Sequence, residues 1–308
     1  MHIVAALGGN ALLRRGEALT SAAQLANIVT AAASLAQLVA AGHRLTITHG
    51  NGPQVGLLAL EGAQSGGEVL PLDVLDAQTE GWIGYQLEQE LANALPRGAE
   101  IATLLTRVRV EAADPAFQSP TKLVGPIYDE ETARSKAAAF GWNIAPDGSF
   151  WRRVVASPVP LEILGASAIR RLVDAQVTVI CAGGGGIPVA ARPDGAMRGM
   201  EAVVDKDLAS GLLAAQLGAD MFLILTDVDA VYLDYGTVAA RPLRHATPET
   251  LEAHGFAAGS MGPKVRAAGD FVRKTGNPAV IGALGDALAI IQGDTGTKIW
   301  RQVPAGSS

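Results

Sequence analysis

The chain has 308 residues, 49% hydrophobic and 18% charged, enough to bury a large core and too apolar for a disordered chain. Its 24 basic and 30 acidic side chains give a net charge of −6 without any basic block, which argues against a nucleic-acid footprint and favours a small-molecule ligand. The one cysteine, Cys181, excludes a disulfide within the chain; with no basic leader and no window of about 18 apolar residues, a cytoplasmic protein without membrane attachment is expected.

Short apolar runs alternate with long amphipathic segments, the pattern of a mostly parallel sheet covered on both faces. "HIVAALG" predicts a first strand, and Ser21 to Ala41 a long helix with Ser21 as N-cap and Gly42 as its stop. "RLTITHG" predicts a strand, Val74 to Asn93 a helix, and "IATLLTRVRV" one more strand. From Glu111 to Pro160 the rhythm breaks. This stretch is proline-rich at both ends, holds one helix from Asp129 to Phe140, and turns at "PDG", residues 146 to 148. It reads as an insertion, residues 112–157, forming a lid or subdomain within a single domain spanning 1–308. The main pattern then resumes: a helix to Ala175, the strand "VTVIC", a helix from Asp207 to Leu217, the strand "MFLILT", a helix from Lys264 to Thr275, "PAVIGAL" and "KIWRQV".

Three glycine-rich loops follow strands: "GGNALL" at Gly8, "THGNGPQVG" at Gly50 and Gly52, and "AGGGGIP" at Gly183. In an open parallel sheet, ligands bind beyond the carboxyl ends of the strands, so the three loops together suggest one pocket, although each alone is a common turn. No GxxxxGK followed by Ser or Thr occurs, and no GxGxxG opens a helix, so neither a P-loop nor a standard dinucleotide site is encoded. Four glycines in a row are either a plain loop or a nest of backbone N–H groups that receives an anion.

Only six lysines stand against eighteen arginines, yet Lys122, Lys206 and Lys264 occupy loop-like settings. Each alone reads as surface charge; together they suit a transferring phosphoryl group, where a compact ammonium is not replaceable by arginine. Asp207 is either the N-cap of its helix or the acid that orients these lysines. In "LTDVDAVY", Asp227 and Asp229 either cap a turn or face a nucleotide. The five histidines show no metal spacing, and without a Ser–His–Asp or Cys–His pattern covalent catalysis is not expected.

In this order, "ALGGNAL", "THGNGPQVG", "AQTEGWIGYQLEQEL", "SPTKLVGPIY", "VICAGGGGIPV", "VVDKDLAS", "LTDVDAVY" and "GSMGPKV" resemble the amino acid kinase superfamily and, within it, the carbamate kinases. The resemblance implies an open αβα sandwich with a protruding subdomain, a homodimer, and the reversible reaction of ATP and carbamate to ADP and carbamoyl phosphate, with Mg²⁺ travelling on the nucleotide and no protein-held metal. It implies catalytic roles for Lys122, Lys206, Lys264 and Asp207. Substrate would lie on Gly8, Gly9, Asn10, Gly50, Asn51 and Gly52, with Asn10 and Asn51 as side-chain donors. Nucleotide would lie on Gly183, Gly184, Gly185, Thr226, Asp227, Val228, Tyr232 and Met261. Where many members carry a first-strand lysine, this chain has Ala6, and Lys122 of the insertion would supply that charge. The rivals are a kinase for a larger acid such as acetylglutamate, and a non-catalytic sensor of the same fold.

Overall fold

The structure, a computed structural model, describes residues 1–12, 17, 20–64, 70–256 and 261–302. Eight strands form the main sheet: β1 (His2–Leu7), β2 (Arg44–His49), β3 (Ile101–Leu104), β4 (Thr178–Cys181), β5 (Met221–Thr226), β6 (His245–Ala246), β7 (Ala279–Ala283) and β8 (Thr297–Ile299). Their order is β6-β8-β7-β5-β1-β2-β4-β3, all pairs parallel except β7–β8. Every residue of β1 is buried, because helices cover both faces of the sheet.

Six helices matter here: α1 (Ser21–Ala40), α2 (Gly52–Gln64), α3 (Leu72–Ala94), α4 (Ala166–Asp174), α5 (Lys206–Leu217) and α6 (Met261–Thr275). Strand alternation divides the core in two. Ile3, Ala5 and Leu7 point to the face covered by α1 and α3, where Ile28, Leu35, Ile83 and Leu87 are buried. Val4 and Ala6 point the other way, toward α4, α5 and α6, with Leu213, Phe222 and Phe271. This is the expected αβα sandwich.

Several local expectations are corrected. The N-cap of α1 is Thr20, whose hydroxyl accepts from the Ala23 N–H at 3.2 Å, so Ser21 is the first helical residue. "IATLLTRVRV" is two strands: β3 ends at Leu104, and Arg107–Arg109 joins a separate four-stranded sheet. The glycines of "THGNG" open α2, a helix that the sequence pattern left unmarked. Helix α1 is, by length and a hydropathy of 1.4, apolar enough to cross a membrane, against the expectation that no segment is; half of that window is buried in the body, which makes it a core helix here.

The insertion forms its own antiparallel sheet of Lys122–Tyr128, Phe150–Val155 and Asn143–Asp147, in that spatial order, with the helix Glu130–Phe140 beside it. Its root packs on the body through Val124 and Val155, which share a buried cluster with Val55, Ala59 and Leu75. There, backbone meets backbone. A Cβ on Gly56 of α2 would stand 2.0 Å from the Gly125 Cα, so this approach requires glycine.

Candidate active site

Four neighbouring strands end on one edge of the sheet: β5 at Thr226, β1 before Gly8, β2 before Gly50 and β4 before Ala182. The Gly8 N–H donates to the Leu225 carbonyl at 2.8 Å, and a Cβ on Gly50 would lie 3.2 Å from the Gly9 Cα. The loops after β1 and β2 therefore lie back to back. Exposed Gly9 and half-buried Gly52 have open space where a Cβ would stand, so both leave room for a ligand. The side chain of Asn10 lies outside the described residues.

Lys122, Lys206 and Lys264, expected in loops, stand instead at the start of a strand, at the start of α5 and in the first turn of α6, and there they converge. Asp205 caps α5, its Oδ1 accepting from the N–H groups of Asp207 (2.9 Å) and Leu208 (3.2 Å), while its Oδ2 accepts from Lys122 Nζ at 2.8 Å. Asp207, set free from capping, accepts from Lys206 Nζ on Oδ1 at 2.5 Å and from Lys264 Nζ on Oδ2 at 3.0 Å. The first turn of α5 is tied to the sheet as well: Ser210 Oγ donates to the Lys206 carbonyl, and Thr48 Oγ1 lies 2.6 Å from Ser210 Oγ. The cap belongs to Asp205, and Asp207 is the acid that holds two lysines.

Burial alone would raise the Asp207 carboxyl, but Lys206 and Lys264 outweigh it and hold it well below the usual carboxylate range. Burial would likewise raise Asp205, and Lys122 outweighs it. Burial draws Lys206 below the usual lysine range against the pull of Asp207, whereas at Lys264 Asp207 overcomes burial and raises the ammonium. Three ammonium groups against two carboxylates leave a net positive charge at the N-terminus of a 12-residue helix. Helix dipole and charge both favour a phosphate there.

Beneath the loops lies a set of buried acids. Glu80 on α3 accepts from the Gly183 N–H (2.9 Å) and the Thr106 N–H (3.0 Å), one on each carboxylate oxygen. Asn51 Nδ2 donates to Asp76 Oδ1 and Thr79 Oγ1, each at 2.9 Å. Burial pushes Glu80 up to about 8 against these backbone donors, pushes Asp76 well up, and pulls His49 down to about 4. Asn51, expected as a donor to substrate, engages both of its amide hydrogens with Asp76 and Thr79 in this structure.

The glycine run packs closely as well. A Cβ on Gly183 would stand 2.3 Å from the His49 ring, on Gly184 2.2 Å from the Asn51 amide, and on Gly185 2.6 Å from the Val204 carbonyl. Gly184, Gly185 and Gly186 also hold φ of +69°, +103° and +83°. Close packing against the protein's own atoms, together with the positive φ values at Gly184 and Gly185, is by itself a reason for glycine at Gly183, Gly184 and Gly185.

On the expected nucleotide side, buried Thr226 donates to Asp227 Oδ1 at 3.1 Å, and Gly8 stands beside it. Half-buried Val228 follows exposed Asp227. Asp229 is a local brace rather than an open ligand group, accepting from Tyr232 OH (2.7 Å) and Arg244 Nη2 (3.0 Å). Met261 starts α6 one turn before Lys264, half-buried against the core. Among the described residues no group of three or more His, Cys, Asp or Glu side chains is placed to hold a metal ion.

Sequence reasoning missed two things. Asp205 as the partner of Lys122 is a contact across 83 residues, with no local signal. Asp76 and Glu80 carried one: they recur with Leu72, Leu75, Thr79, Ile83 and Leu87 on the buried stripe of α3, where an unpaired acid would not be tolerated.

A family model described as the amino acid kinase family matches residues 1–283. The carbamate kinase of Haemophilus influenzae is 48% identical over 303 residues, covering 98% of this chain and 97% of that protein. That of Escherichia coli K12 is 52% identical over 298 residues, covering 96% and 98%. The solved structure of carbamate kinase from Giardia lamblia bound to AMP-PNP is similar at a TM-score of 0.87 and 39% identity, covering 97% of this chain and 98% of that one.

Proposed function

The chain belongs to the amino acid kinase family, and from that premise and the lysine–aspartate cluster we infer that it is a kinase of carbamate: ATP and carbamate are interconverted with ADP and carbamoyl phosphate. The observation that carries the reading is Asp207 holding Lys206 and Lys264 on its two oxygens while Asp205 holds Lys122 alongside, in a chain nearly 50% identical to carbamate kinases over almost its whole length.

Phosphoryl transfer asks a protein to hold two reactants in line and to stabilise charge spread over the transferring oxygens. Lys206 and Lys264 would do the second. In the absence of phosphate, Asp207 keeps the two ammonium groups together against their repulsion; a phosphoryl group then takes up their unused N–H donors. Backbone around Gly9 and Gly52, open to solvent, would take the carbamoyl end. Thr226, Asp227, Val228, Tyr232 and Met261 line the nucleotide side in this reading. Lys122 arrives from the inserted subdomain, which acts as a lid that excludes water from a labile acyl phosphate. Mg²⁺ enters as part of the nucleotide substrate.

Running toward ATP, the step would serve arginine or purine breakdown in the cytoplasm, by a homodimer; sequence resemblance supports these points. The test is ATP formation from ADP and Mg²⁺ with carbamoyl phosphate, acetyl phosphate and acetylglutamyl phosphate offered in parallel. Carbamoyl phosphate should be used far faster, and equal use of all three would overturn the assignment.

A further inference from the structure

A cavity of about 240 Å³ opens at the root of the inserted subdomain, where it meets the body. Phe117, Trp142, Asn143 and Arg153 line it from the inserted segment, and Leu72 and Glu201 from the body. The two walls carry opposite charge. The guanidinium of Arg153 stacks on Trp142, 4.8 Å from the ring centroid, and among the described residues its N–H groups meet no acceptor. Burial draws it below the usual arginine range, with Glu201 acting against that. Glu201 is held at the start of α3, its Oε1 accepting from the Leu72 N–H at 3.0 Å, and no ion pair closes the gap to Arg153.

A half-buried guanidinium whose donors meet only solvent gains from an acceptor beside it, and its planar fork matches a carboxylate. A simple anion would meet the like charge of Glu201, and a simple cation that of Arg153. A small molecule with both charges satisfies both walls, and Trp142 and Phe117 offer apolar surface to its remainder. We propose that this cavity binds a free α-amino acid, with its carboxylate on Arg153 and Asn143 and its ammonium on Glu201. Val155, on the same wall, pairs across the strands with Lys122. A ligand bridging the walls would therefore hold the subdomain's root, and with it Lys122, against the body.

The test is binding rather than turnover, so it stands apart from the kinase reading. The full chain is screened by thermal unfolding and titration calorimetry against each of the common α-amino acids. At least one should raise Tm by about 3 °C at a concentration well above its Kd. Its N-acetyl and α-amide derivatives, each lacking one charge, should bind roughly tenfold more weakly or worse, as should the natural ligand to Glu201→Gln and to Arg153→Met. Glu201 is exposed, so its variant keeps the test valid if Arg153→Met fails to fold. Absence of any shift, equal binding of the derivatives, or unchanged affinity in Glu201→Gln overturns the proposal.

Discussion

At the residue scale the proposed chemistry rests on two side chains held by one carboxylate, buried Lys206 and half-buried Lys264. Their charge is worth most when negative charge builds on the transferring oxygens, so Lys206→Met or Lys264→Met should lower kcat by roughly 10²–10³. Steady-state kinetics checks this; a raised nucleotide KM with unchanged kcat would place both lysines in ground-state binding. Glu80 predicts a pH effect on stability. Its folded pKa of about 8 lies above the ordinary 4.5, so between those values the folded state binds more protons than the unfolded chain, and stability falls as pH rises. His49, pulled down to about 4 from 6.5, acts the other way, chiefly below 6.5. His2 shares that downward shift, so in the upper part of the range from 6.5 to 8 the opposing histidine contribution fades and the buried acids act with least opposition. The urea midpoint of the wild type should decline there, and Glu80→Gln should decline less steeply, Asp76 supplying what slope remains.

Element ends place those residues. Asp205 performs two tasks with two oxygens, and two substitutions separate them. Asp205→Asn keeps an acceptor for the α5 N-terminus, so stability should change by no more than about 0.5 kcal/mol, whereas Asp205→Ala should lose about 1 kcal/mol. Both remove the charge facing Lys122, and both should lose turnover; full activity in Asp205→Asn would show that Lys122 needs no such partner. Gly56 makes a second test. Alanine suits the interior of α2 better than glycine, by up to about 1 kcal/mol, but its Cβ would collide with Gly125 and unseat the subdomain. Gly56→Ala should therefore leave nucleotide affinity near that of the wild type while kcat falls by roughly tenfold or more, as expected when a catalytic group is displaced by about 1 Å.

For the whole molecule, the decisive relation is between the sandwich and the inserted sheet, joined by the Val124–Val155 cluster and by Lys122 on Asp205. Lys122→Ala removes the charge and leaves the core untouched, so turnover at saturating substrates should fall sharply with folding and nucleotide affinity retained. Near-wild-type turnover would mean that the subdomain delivers no catalytic charge. The layered core was legible in the sequence because it rests on local repetition: strands buried on both faces read as unbroken apolar runs, and helices as striped ones. The candidate lysines were legible because lysine is scarce here and three of the six stand in short distinctive motifs, although they occupy element starts rather than loops: Lys122 opens a strand, Lys206 opens α5 and Lys264 lies in the first turn of α6. Partnership was not. Whether Asp205 or Asp207 caps α5 depends on which of them meets Lys122, Lys206 and Lys264, and those meetings span up to 83 residues. The four glycines make the same point: the sequence showed that backbone there must pass close to something, but only the packing of β2 against β4 decided that it is His49 and Asn51. Local pattern determines which face of an element is buried, whereas the identity of the group across a contact comes from chain segments that only the folded sheet brings together.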